Sequence, residues 1–216
     1  MEISGRTVRT FVLSMAGTLL AGAVAHAAPP ELHRIETGPA DGLPVLLLHG
    51  QRFHSGTWQQ LGTLDRLAKE GFHAIALDLP GYGASPPGPP LDLAQFVTDA
   101  KLDRPVVVAP SMSGNVALPF VTGHPELAAG FVAVAPVGIP AHEAELRKLA
   151  LPTLIVWGAL DQVVPITQAK ALHSWVKDSR LVFLTGARHP CYLDRPDEFH
   201  AALVEFLRPL AAKHGH

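Results

Sequence analysis

The chain has 216 residues, 48% of them apolar and 17% charged, with a formal net charge of −2. That is ordinary single-domain composition, long enough to bury a core without disulfides or metals, and it carries no basic stripe of the kind that binds nucleic acid. The lone cysteine, Cys191, excludes an intramolecular disulfide and a cysteine-based zinc site, and the 12 histidines show no ligand-pair spacing, so no metal is predicted.

Residues 1–27 read as a secretory signal. Arg6 and Arg9 precede an uncharged Ala/Leu/Gly-rich run over 11–24, and Ala25-His26-Ala27 offers small residues where a signal peptidase cuts. The expectation is a single domain over 28–216 in the periplasm or medium, with no stable membrane span after cleavage. The alternative is a protein anchored by an uncleaved N-terminus.

From there, short apolar runs alternate with helical patterns. Strands are expected over residues 43–49, 72–79, 105–109, 130–136, 152–158 and 180–185. Helices are expected over 58–69, 91–102, 112–122, 142–150 and 196–211, the third kinked or cut short at Pro119. Residues 80–90 hold three Gly and five Pro and read as loop. Strands alternating with helices predict an α/β fold, a mostly parallel sheet covered on both faces. Such sheets place their sites at the carboxyl ends of the strands.

The residues following those strand ends carry the chemistry. The run VVVAPSMSGNVALPF takes a buried strand straight into Ser111 and then into a helix. This is the pattern of a nucleophile elbow, with Ala109 and Ser113 as the small residues two before and two after. Ser113 is the rival nucleophile, but that choice would put Asn115 where a small residue is needed; Ser113 reads better as a helix N-cap. Asp161, after the fifth strand, and His189, after the sixth, complete the order Ser, Asp, His. Asp161 also reads as a turn or cap residue ahead of a helix opened by Pro165. Asp78 is the rival acid; it precedes the serine and reads as a support for the Gly-rich loop. Cys191 has no activating neighbour and reads as an inert buried thiol.

A serine hydroxyl needs a neutral imidazole to take its proton, and a carboxylate to fix the imidazole tautomer. The resulting oxyanion needs preorganised N–H donors. Those expected are the backbone N–H groups of Met112 and Gln51, the latter in LLLHGQRF, with His49 and Gly50 shaping that loop. Phe53, Trp58 and Met112 are candidate lining for an acyl pocket, although aromatic and Met residues near a strand end more often read as plain core. Only about a dozen residues separate 137 from 151, so little or no lid is expected. The mechanism requires no cofactor, and its partner is a small-molecule acyl substrate; the alternatives are a hydrolase or acyltransferase acting on amide or thioester acyl groups, since the same residues serve, and a non-catalytic binding protein of the same fold.

The segments LLLHGQRFHSGTWQQLGTLDRLAKEGFHAIALDLPGYGAS, PSMSGNVALPF, GFVAVAPVGI and GARHPCYLDRPDEFHAALVEFL resemble the α/β-hydrolase domain-containing protein 14 family. The resemblance covers the whole of 28–216; its more specific parts are the P-S-x-S-G elbow and HPCYLD. It implies a lidless α/β-hydrolase fold with a Ser-Asp-His triad acting on short acyl esters, with Ser111 as nucleophile, Asp161 as acid and His189 as base. The family is also linked to acyl transfer from acetylated amines and to protein partners, neither of which is carried over. This sequence departs from the family in its signal segment and in Gln51, which puts a polar side chain at the oxyanion loop.

Overall fold

The computed structural model describes Met1 and residues 31–214. The expected signal segment, apart from Met1, lies outside the described residues, as does the cleavage point. Among the described residues, no helix is long and apolar enough to cross a membrane.

Seven strands form one sheet: β1 (Arg34–Thr37), β2 (Pro44–Leu47), β3 (His73–Leu77), β4 (Val106–Pro110), β5 (Gly130–Val134), β6 (Thr153–Gly158) and β7 (Ser179–Leu184). Their order is β1-β3-β2-β4-β5-β6-β7. β1 runs antiparallel to β3 and every other pairing is parallel. All six expected strands are present. β1 was not anticipated: RIET is four residues long, half-exposed and charged, as an edge strand tends to be.

The helices are α1 (Ser55–Gln60), α2 (Thr63–Lys69), α3 (Leu93–Asp99), α4 (Gly114–Gly123), α5 (Glu143–Leu146), α6 (Ile166–Trp175), α7 (Cys191–Asp194) and α8 (Pro196–Ala211). The helix expected over 58–69 is two, divided where Gly62 takes φ +70°. Pro119 does not stop α4. It sits at an exposed position, so the missing backbone hydrogen bond falls on the solvent side. The helix expected over 142–150 shrinks to α5 and a preceding 3-10 turn, Ile139–His142.

Side chains alternate across each strand and so divide the core in two. Leu46, Ile75, Val107, Phe131 and Ile155 face α3, α4 and α6 through Val97, Leu118 and Leu172. Val45, Ala74, Val106, Val132 and Leu154 face α1, α2 and α8 through Trp58, Leu67 and Leu203. From β2 the chain moves outward to β3, then returns past β2 to β4 and winds the other way. The winding therefore reverses between β2 and β4, and the crevice at their carboxyl ends is where such a sheet binds ligands.

Candidate active site

Ser111 stands at that crevice. β4 ends at Pro110 in extended backbone, Ser111 takes φ +50°, and a 3-10 turn (Ser111–Ser113) leads into α4. Left-handed backbone is costly for a residue with a Cβ, about 1–3 kcal/mol, and here the surroundings enforce it. Ser111 O accepts the Val137 N–H at 2.9 Å. Ser113 is fully buried, and its hydroxyl donates to Pro110 O at 2.8 Å. That hydroxyl tightens the turn and has no path to a substrate, which removes Ser113 as a rival nucleophile. Gly114 is a requirement that pattern reading did not isolate. A Cβ there would lie 2.3 Å from Val137 O.

Two loops meet Ser111 from the far side of the sheet. His189, in the loop after β7, places Nε2 2.9 Å from Ser111 Oγ and Nδ1 2.8 Å from Asp161 Oδ2. The carboxylate can only accept, so the ring proton belongs on Nδ1, leaving Nε2 to accept from the serine. The Asp161 side chain is fully buried and that of His189 nearly so. The other carboxylate oxygen, Oδ1, accepts the N–H groups of Val163 (2.8 Å) and Val164 (2.9 Å), which fixes the plane of the acid. The His189 loop is tied down by Asp194 of α7, whose carboxylate accepts the Arg188 N–H at 2.8 Å. That bond, with the nearby Arg188 and Arg195 charges, holds the Asp194 carboxyl below the usual carboxylate range.

Asp78 lies elsewhere. Its carboxylate accepts the N–H groups of Ser55 and Ala84 and pairs with His33 Nδ1 at 2.9 Å. Burial raises its pKa, but these partners outweigh burial and the net shift is downward. It braces the start of α1 and the loop over 80–90. A Cβ on Gly83 would fall on its oxygens. Cys191 is fully buried and its thiol is pushed up to about 12, first by burial and then by the Asp161 charge, so it is no nucleophile at neutral pH.

The expected lining separates. Met112 and Phe53 are half-buried. A Cβ on Gly50 would lie 3.3 Å from the Phe53 ring and 3.6 Å from Ser111 Cβ, so Phe53 borders the elbow. Trp58 does not line the site. It is 1% exposed, its indole N–H donates to Leu48 O at 2.8 Å, and its ring stacks on Tyr192. It is a core residue under the loop, and its place as pocket lining is corrected. Tyr82 was not anticipated at the site. Its hydroxyl donates to Met112 Sδ at 3.1 Å. Gln51 is exposed in the turn after β2, where Phe53 N–H donates to Gly50 O at 3.0 Å.

Between β5 and β6 the chain holds only the 3-10 turn and α5, so no lid domain is inserted there. A groove of about 660 Å³ lined by Leu32, Pro80, Pro86, Leu91 and Phe96 lies beyond the 80–90 loop and shares no residue with the Ser111–His189–Asp161 chain. The hydrogen-bonded chain, not this groove, marks the candidate site.

A sheet that reverses its winding beside a serine elbow, with an acid and a histidine on later strand ends, defines a hydrolase of the α/β type, and the chain belongs to the alpha/beta hydrolase family, whose profile matches residues 45–150. It is 44% identical over 186 residues to the Rattus norvegicus protein named "Putative protein-lysine deacylase ABHD14B", covering 81% of this chain and 87% of that one. It is 43% identical over 177 residues to protein ABHD14A of Danio rerio, covering 78% of this chain and 65% of the relative. Among solved structures, a predicted CIB-like hydrolase from Thermoplasma acidophilum superposes with a TM-score of 0.76 at 26% identity, covering 84% of this chain and all of that one.

Proposed function

We propose that this hydrolase is a serine esterase that cleaves short acyl esters through an acyl-enzyme. The observation that carries the reading is the Ser111–His189–Asp161 chain, with its bonds of 2.9 and 2.8 Å. Ser111 Oγ attacks the acyl carbonyl while its proton passes to His189 Nε2. Asp161 holds the imidazolium that forms. The carbonyl oxygen becomes an oxyanion held by the backbone N–H groups of Met112 and Gln51, each worth about 3–4 kcal/mol in comparable sites. Collapse expels the alcohol, which takes the proton from His189. Water then enters, gives a proton to His189 and attacks the acyl carbon, and the acid leaves as the proton returns to Ser111.

The absence of a lid domain supports a small or protruding acyl group over a long lipid. A second reading is favoured by the name of the Rattus norvegicus relative: removal of an acyl group from a lysine amine. The same residues serve, with His189 protonating the amine as it leaves. We further propose that residues 1–27 direct export and that 28–216 is the mature protein, for which N-terminal sequencing of the exported chain is the test.

The deciding experiment mixes purified protein with p-nitrophenyl acetate and butyrate, beside Ser111→Ala. Hydrolysis abolished in the variant supports the acyl-enzyme. Equal rates in both remove Ser111 from that role. An acetyl-lysine peptide assayed in parallel separates ester from amide preference.

A further inference from the structure

We propose that Tyr82 and Met112 together form the end wall of the acyl site, and that the contact between them limits the length of acyl chain this enzyme accepts. The inference rests on the acyl-enzyme reading and adds to it the residues that choose the substrate.

The order of the strands separates the two sides of the substrate. β6 and β7, whose ends lead to Asp161 and His189, lie on one side of β4 and Ser111. β2 and β3 lie on the other side, and Tyr82 follows β3. His189 hands its proton to the leaving alcohol, so the alcohol lies toward β6 and β7. At the tetrahedral carbon the acyl chain points away from the leaving oxygen, which directs it to the β3 side.

That side is closed by two linked side chains. Tyr82 and Met112 are both half-buried, and both pack on the core beneath α3, α4 and α6. The Tyr82 hydroxyl donates to Met112 Sδ at 3.1 Å, and the Tyr82 ring packs on buried His49 at 5.0 Å between centroids. A free methionine is an adaptable wall, because its unbranched side chain can turn aside. Held by its sulfur, Met112 is a fixed one. It directly follows Ser111, so the wall starts one residue from the nucleophile. A lengthening acyl chain meets this pair and must displace it or turn back into solvent.

Phe53, the other apolar side chain at the elbow, belongs to the opposite side. Its ring meets Tyr192 edge-on at 6.4 Å, and Tyr192 lies in α7, directly after the His189 loop. Phe53 therefore borders the alcohol and not the acyl chain.

The test measures kcat/KM for p-nitrophenyl acetate and hexanoate in the parent, Tyr82→Ala, Met112→Ala, Tyr82→Phe and Phe53→Ala, with Ser111→Ala alongside. The hexanoate-to-acetate ratio within one preparation does not depend on how much of the protein is folded. A methylene that gains a place in an apolar pocket is worth about tenfold or more, so Tyr82→Ala and Met112→Ala are each expected to raise the ratio at least tenfold. Tyr82→Phe keeps the ring but frees the sulfur, and is expected to raise it about threefold. Phe53→Ala should leave the ratio within about twofold of the parent. A smaller rise in either alanine variant, no rise in Tyr82→Phe, or a tenfold rise in Phe53→Ala overturns the inference. Hydrolysis that survives Ser111→Ala, or a parent that cleaves neither ester, overturns the acyl-enzyme reading and this inference with it.

Discussion

The Cα of Gly158 faces the carbonyl of Arg188 so closely that a methyl group there would lie 2.4 Å from the oxygen. The end of β6, which leads to Asp161, thus slides directly under the loop that presents His189. Gly158→Ala is expected to force that loop outward, lengthening the His189–Asp161 contact. Overpacking of this kind costs about 2 kcal/mol of stability, and kcat is expected to fall at least tenfold. Urea unfolding and steady-state ester hydrolysis on the same preparation check both; an unchanged kcat would show that the loop adapts without disturbing the site.

The two buried acids are expected to separate cleanly. In Asp161→Asn, the Val163 and Val164 N–H groups hold the amide oxygen, which turns the NH2 toward His189. The ring must then accept at Nδ1 and carry its proton on Nε2, where it cannot take one from Ser111. A loss of about 10³–10⁴ in kcat with little change in stability is expected. Asp78→Ala leaves the Ser55 and Ala84 N–H groups without their acceptor, and stability is expected to fall by about 3 kcal/mol while the three site residues keep their mutual geometry. Rate and urea midpoint, measured for both variants, should give opposite patterns.

His200 lies in α8, 7% exposed, 2.8 Å from the Thr63 hydroxyl. Burial, then the Arg66 charge, lowers its pKa from 6.5, while Asp197 opposes the shift. The folded state therefore binds fewer protons than the unfolded chain just below pH 6.5. The stability this ring contributes is complete above that value and is lost as pH falls toward the lowered one. Replacing the ring removes the effect, so the urea midpoint of His200→Gln should vary less between pH 7.5 and 5 than that of the parent. Parallel slopes would assign the acid sensitivity to other groups.

Cys191 is expected to resist thiol reagents in the folded protein. Its raised pKa leaves almost no thiolate at pH 8, and the side chain is sealed from solvent. Incubation with iodoacetamide followed by intact-mass measurement should show no adduct until urea is added. Labelling of the native chain would point to opening of the α7 segment.

The sequence exposed the strand ends and the residues that follow them, because a buried parallel strand is a continuous apolar run whatever packs around it. Ser111, Asp161 and His189 were legible for that reason, and the structure brings all three within hydrogen-bonding reach. What stayed hidden depends on partners distant in sequence. Gly114 and Gly158 are indispensable because of Val137 and Arg188, which no local pattern reveals. Trp58 could be read as pocket lining or as core, and its partner Tyr192, 134 positions later, makes it core. Tyr82 sat in a Gly/Pro-rich loop that gave no hint of its contact with Met112. β1 is too short and charged to stand out, and α6 was legible only as a helix that Pro165 could open.

The backbone of Ser111 carries a further consequence. At φ +50° a glycine would sit more comfortably than any residue with a side chain. Relief of that strain is worth about 1–3 kcal/mol, against about 0.4–1 kcal/mol for the extra freedom glycine gives the unfolded chain. Ser111→Gly should therefore outlast Ser111→Ala by about 1 kcal/mol in urea, two inactive proteins that differ only in what the elbow must endure. The candidate nucleophile is thus also a position where a single substitution should make the fold sturdier. Selection for durability alone would favour glycine over serine at this elbow.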